Sequence, residues 1–166
     1  MNDSVLNYLR PSVLRDALTG DLMLLGTDPH IVVQNVDESW SLTEGVVAGL
    51  SYLLTVLDPD RNIHITQKDT LLVSAEATAA GTGTARRLRE AEVLILEETK
   101  PNSGVFRGFI DTQPGLGRQV QGTLEMMPTQ TVRFGYVDFA NAKGQRNVIT
   151  EMKLPVIAPA AQLAGR

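Results

Sequence analysis

The feature that most constrains this chain is a succession of short apolar segments, each stopped by a turn signal. His30–Val36 (HIVVQNV) is rich in β-branched residues. Val46–Leu57 (VVAGLSYLLTVL) is a long apolar run halted by Asp58-Pro59-Asp60. Thr70–Ala75, Glu92–Glu98 and Val105–Ile110 follow, and Pro101-Asn102-Ser103-Gly104 separates the last two. Glu92–Glu98 alternates Val93, Ile95 and Glu97 against Leu94, Leu96 and Glu98. Gly122–Met126 and Thr131–Phe139 flank Pro128, which reads as a hairpin loop, and Val132, Phe134 and Tyr136 share one face of the second run. Asn147–Leu154 closes the set before Pro155 and Pro159. About eight strands at roughly 8–12-residue spacing, with no helices alternating between them, are the pattern of an antiparallel sandwich or barrel. The predicted fold is therefore all-β, an immunoglobulin-like antiparallel β-sandwich of about 7–9 strands with an N-terminal extension.

Two segments depart from this pattern. Tyr8–Leu18 reads as a short helix, with Pro11 suited to its first turn and Gly20 to its end, and Asp21–Leu25 reads as a short strand. Ala75–Glu92 contains good helix formers around Arg86–Glu92, but Gly81 and Gly83 break it, so 76–91 reads as a connecting loop or an extended hairpin. The predicted organisation is an extension over 1–28, a sandwich over 29–154 and a Pro/Ala-rich tail over 155–166.

Composition narrows the classes of function. The net charge of −4 disfavours a nucleic-acid binder, and no basic run reverses it. No apolar run approaches the ~20 residues of a membrane-spanning helix. The start, MNDSVLNYLRPSV, lacks the apolar core of a signal peptide. With no cysteine there are no disulfides, thiolate metal sites or cysteine nucleophiles. The histidines are two, His30 and His64, and no nucleophile elbow, zinc-binding His pair or phosphate loop is present. Gly81-Thr82-Gly83 and Gly115-Leu116-Gly117 read as loop glycines, and His64 as a solvated loop residue. Trp40, the single tryptophan, reads as core or strand-edge packing, with recognition as the sharper alternative. The chain is expected not to be an enzyme; a hydrolase pairing Asp58 or Asp60 with Glu98 is the minor alternative.

One polar constellation rises above this background. Asp58-Pro59-Asp60-Arg61-Asn62 places short oxygen-bearing side chains at i, i+2 and i+4 beside a strand end. Calcium takes six to eight oxygens, and such turns supply them. Asp and Asn also fill turns simply because they bond their own backbone, so the turn supports either reading.

Residues 44 to about 150 resemble an Ig-like β-sandwich repeat of bacterial secreted and cell-surface proteins. The residues carrying the resemblance begin with Glu44-Gly45, the strand Leu53–Leu57 and the Asp58–Asn62 turn. Asp69-Thr70 opens the next strand. Then come Leu96-Glu97-Glu98-Thr99, Pro101-Asn102-Ser103-Gly104-Val105-Phe106-Arg107-Gly108, Gly122-Thr123-Leu124 and Tyr136-Val137-Asp138. The resemblance implies a non-catalytic structural subunit of an extracellular or surface assembly, such as a filament, sheath or matrix. It also implies neighbouring modules or further copies as partners. Calcium is the implied ion, and the implied ligands are Asp58, Asp60, Asn62, Glu98 and Asp138. Joining of subunits by strand complementation is expected, with residues 1–28 as donor. A carbohydrate- or protein-binding module is the alternative. Three departures stand out. Pro128-Thr129-Gln130 replaces the repeat's Pro-Gly-Asp, Lys100 replaces a glycine, and Arg61 brings a positive charge into the acidic turn.

Overall fold

A computed structural model describes residues 12–15, 22–79, 91–115 and 122–159. The all-β expectation holds: the described residues form ten strands and one short 3₁₀ turn. β1 (Ser12–Arg15) and β2 (Leu22–Leu25) pair antiparallel with each other and with no other described strand. The remaining strands are β3 (His30–Asn35), β4 (Ser51–Leu57), β5 (Thr70–Ala79), β6 (Ala91–Glu98), β7 (Val105–Pro114), β8 (Thr123–Met126), β9 (Gln130–Ala140) and β10 (Arg146–Pro155). They form one hydrogen-bonded path in the order β10-β9-β5-β6-β7-β4-β3, and β8 adds to β7.

The path nearly closes into a barrel. The segment after β3 folds back along its outer edge, where Asn35 N–H bonds Ser41 O at 2.9 Å and Thr43 N–H bonds Val33 O at 3.1 Å. Val46 then takes up the end of β10: its N–H donates to Pro155 O and its carbonyl accepts from Ile157, both at 2.8 Å. The two open edges thus meet through residues 41–46. Ordered structure continues past 154, and Val156 and Ile157 belong to this closure. At the other end, Gly26–Asp28 are bonded into the domain, since Gly26 N–H donates to Asn141 O and Asp28 accepts from Ala142 N–H.

Alternation separates an inward face from an outward one. Along β9, Val132, Phe134, Tyr136, Asp138 and Ala140 are buried; along β6, Leu94, Leu96 and Glu98 are buried, while Val93, Ile95 and Glu97 are exposed. These inward faces meet Leu54 and Val56 of β4, Leu71 and Val73 of β5 and Phe106 and Ile110 of β7 in one core. At ~25 cal/mol per Å² of apolar area, this burial is the main force that closes the sheet.

Two expectations are corrected. The helix over Tyr8–Leu18 is a strand at 12–15, where Val13 and its neighbours register against 22–25; the rest of that stretch lies outside the described residues. Cross-strand pairing outweighs the weak helical preference of four residues. Pro128 does not sit in a hairpin between paired strands. Met127–Gln130 is a tight turn, with Gln130 N–H bonded to Met127 O at 3.2 Å, but β8 runs parallel to β7 while β9 pairs with β5 and β10. The turn reverses the chain, yet tertiary partners claim each strand edge separately. The connection between β5 and β6 is an extended hairpin as expected, and its tip, 80–90, lies outside the described residues.

Candidate metal centre

Several inward faces end in an acid. Val56 is followed by Asp58, Leu96 by Glu98 and Tyr136 by Asp138, each two residues on and buried. On β5, Asp69 precedes Leu71 by the same step and is also buried. Period-two side-chain alternation carries a carboxylate to the inside each time the apolar run stops. Isolated ionised carboxylates are costly to bury, so each must find donors or a cation.

Glu98 and Asp69 find backbone donors. Glu98 accepts from Asp69 N–H at 2.9 Å, from Ser103 N–H at 3.1 Å and from Gly104 N–H at 2.8 Å. It therefore caps the 99–104 turn, in which Asn102 and Gly104 take positive φ. Gly104 is needed there because a Cβ would stand 3.0 Å from Pro59 Cα. Asp69 accepts from the N–H groups of Ile63 and His64 at 2.7 and 2.8 Å, and its other oxygen meets His64 Nδ1 at 2.5 Å. Burial raises the Asp69 carboxyl, but the bonds from His64 and Ile63 outweigh it and hold the group below its ordinary value. His64 is exposed, as expected for a loop residue, yet its ring is anchored.

Asp58, Asp60 and Asp138 are different. One carboxylate oxygen from each lies within 4.8 Å of the others. Asp58 caps the 3₁₀ turn Pro59–Arg61, accepting from Asp60 N–H at 3.0 Å, and Pro59 fits the first turn because its missing N–H would have no partner there. Its other oxygen accepts from Tyr136 O–H at 2.5 Å. Asp60 accepts from Thr27 N–H at 2.5 Å, which places the 26–28 segment against the cluster. Asp138 Oδ1 accepts from Ala140 N–H at 3.1 Å. Asp138 Oδ2 is buried and has no hydrogen-bond partner, although the residue is only 1% exposed.

Burial dominates the electrostatics of this cluster, and the Arg61 charge offsets it only in part at Asp58. Burial raises the carboxyls of Asp58 and Asp60 above their ordinary values. Asp138 is raised to about 6, first by burial and then by the charges of Asp58, Asp60 and Asp28. Tyr136 is held protonated by burial and by its bond to Asp58. A hard cation matches this donor set: all-oxygen, anionic and partly preorganised by turns.

Of the five residues implied by the resemblance, the structure brings together Asp58, Asp60 and Asp138. Asn62 is buried beside them in sequence, its amide donates to Asn102 Oδ1 at 2.8 Å, and its own Oδ1 has no partner. Glu98 stands outside the group, with both oxygens taken by backbone N–H. Asp28 and Tyr136 are the participants that sequence reasoning missed. Tyr136 had a signal, an inward hydroxyl two residues before Asp138; Asp28 had none, because only folding brings 26–28 to 140–142. Trp40 is not core: it is 46% exposed on the loop after β3, at φ 48°, where Asp37 caps the turn through Ser39 and Trp40. Compared with known proteins, the chain matches no family model and no curated protein.

Proposed function

We propose that this chain is a non-catalytic structural module whose closed end is tied together by a hard divalent cation, calcium being the best fit. The observation that carries this reading is Asp138 Oδ2, a buried carboxylate oxygen with no partner, set against the oxygens of Asp58 and Asp60. Without a cation, like charges and desolvation act together against folding there. With one, the same oxygens link β4, β9 and the 58–62 turn. Asp58, Asp60 and Asp138 would hold the ion directly, and water would complete the shell of six to eight oxygens.

The immunoglobulin-like sandwich is part of the same reading. The strand path is thinnest between β6 and β7, which share two registered pairs, whereas β4 and β7 share seven. A division there would leave β10-β9-β5-β6 facing β3-β4-β7-β8. Placement in an extracellular or surface assembly follows from the resemblance in residues 44 to about 150.

Calorimetry on chelator-treated protein tests the cation. Calcium should release or absorb heat on binding the parent and not the Asp60→Ala or Asp138→Asn variants, and it should raise the parent's melting temperature alone. Absence of both effects in the parent would sink the reading.

A second reading has its own observation. Trp40 is held outward in a left-handed backbone conformation by the Asp37 turn, beside exposed Leu42. Strained, exposed aromatics mark recognition sites, so a carbohydrate- or protein-binding module is the alternative. Glycan-array binding abolished in Trp40→Ala would favour it over the structural module.

A further inference from the structure

β5 and β9 are paired over only part of their length. Their register runs from Ser74↔Gly135 to Ala79↔Gln130. Toward the acidic end, Thr70–Val73 pair with β6 alone, and Tyr136–Asp138 pair with β10 alone. Two strand edges thus face one another without a ladder between them among the described residues. An unpaired edge of N–H and C=O groups is a template for another strand. The divergence opens a groove of about 620 Å³ over Gly135.

The lining specifies more than a generic strand. Leu72, Val93 and Val137 line the groove and are exposed apolar residues. Arg61 lines it from the 3₁₀ turn. Among the described residues the Arg61 side chain has no ion pair, and its Nε is buried without a hydrogen-bond partner. The groove therefore offers backbone donors and acceptors, an apolar wall and one guanidinium that makes no ion pair among the described residues, although its charge also acts on Asp58 and Tyr136. Its complement is an extended apolar segment carrying a carboxylate.

The chain contains such a segment. Asp21-Leu22-Met23-Leu24-Leu25 is an acid followed by four apolar residues. Residues 22–25 form β2, which pairs with β1 and with no other described strand. A lone two-stranded ribbon is marginally stable in water and gains by joining a larger sheet. We propose that the β5–β9 groove accepts residues 21–25 of a second copy as an added strand, with the Asp21 carboxylate paired to Arg61. Main-chain bonds supply the attraction and the charge pair fixes the register. The inference rests on reading the chain as an assembling module, and it is independent of the cation. Each copy carries one donor and one groove, so association is head-to-tail.

Light scattering on the full chain over a concentration series, with calcium and with chelator, tests the proposal. The parent should associate. Val137→Lys, which alters an exposed side chain, and Asp21→Lys should each weaken association roughly tenfold or more, with unchanged melting temperatures. An equimolar mixture of the two variants retains one intact groove and one intact donor, so it should form dimers and stop there. A parent that stays monomeric to about 1 mM, the weak end of specific association, would overturn the second-copy assignment. Association untouched by either variant would overturn the groove. If association persists while calcium shows no heat, the cation reading fails and this proposal stands.

Discussion

Burying an acid at the end of an apolar strand face has a measurable signature in Asp138. Its carboxyl is raised to about 6 by burial and by the neighbouring acids, whereas an unfolded aspartate titrates near ~3.9. Between those values the folded chain binds more protons than the unfolded one, so stability rises as pH falls through that window. The melting temperature of cation-free protein should therefore increase from pH 7 toward about pH 5. Asp138→Asn should raise the melting temperature at pH 7 and flatten the rise, because it removes the charge while keeping the shape. With calcium bound the sign reverses, since protons compete for the same oxygens. Thermal melts in chelator and in calcium, side by side, check both signs. Thr129 carries backbone strain. It takes φ 79° at the third position of the Met127–Gln130 turn, after Pro128, where a type II turn calls for glycine. A β-branched residue is poorly suited to that backbone region, so Thr129→Gly should stabilise by about 1 kcal/mol in denaturant unfolding.

At the scale of elements, the short β6–β7 ladder, extended by Thr99 N–H to Val105 O at 2.9 Å, is reinforced by a side chain. The two strands share registered pairs at Glu97↔Arg107 and Glu98↔Phe106 only, and Glu98 gathers the N–H groups of Asp69, Ser103 and Gly104. Glu98→Gln keeps the shape but points an amide N–H₂ at backbone donors. It should cost about 1–3 kcal/mol in denaturant unfolding, the penalty for unsatisfied buried polar groups. The calcium midpoint should be unchanged, because Glu98 lies outside the carboxylate group. A shifted midpoint would return Glu98 to the ligand set implied by the resemblance. Gly104→Ala attacks the same connection from the backbone, through its positive φ and the contact with Pro59, and should destabilise by at least ~1 kcal/mol.

For the whole molecule, closure runs through two small regions. Residues 41–46 join the β3 and β10 edges at one seam, and the acidic end joins 26–28, 58–62 and 138–142. A ligand that binds only the folded state stabilises it by RT ln(1 + [L]/Kd), about 2.7 kcal/mol at a hundredfold excess over Kd. Calcium should therefore act on global unfolding and not merely on a loop. Hydrogen exchange of Tyr136–Ala140 and of Leu53–Leu57 should slow together on adding it, because an ion held by Asp58 and Asp138 would tie the ends of both strands.

The apolar segments and their turn signals in the sequence were enough to determine the all-β class and the approximate places of β3 to β10, though the run read as a strand over Val46–Leu57 is a strand only at Ser51–Leu57. Alternation also separated the two faces of β6 and grouped Val132, Phe134 and Tyr136 on one face of β9, and the structure decided which face is inside. The segments and their alternation depend on near neighbours, which the chain states directly. The Asp58–Asn62 turn was legible for the same reason, its geometry being local. The resemblance then pointed to Asp138, but it also pointed to Glu98, which has the same inward placement and the opposite fate. Tertiary structure alone decided that Glu98 would meet backbone N–H groups while Asp138 kept an unpartnered oxygen. It alone placed β8 beside β7, brought Gly26–Asp28 to the acidic end and left Thr70–Val73 of β5 and Tyr136–Asp138 of β9 without a ladder between them beside Arg61. Each of these is settled by groups far apart in the chain, where competition for hydrogen-bond partners has no local trace.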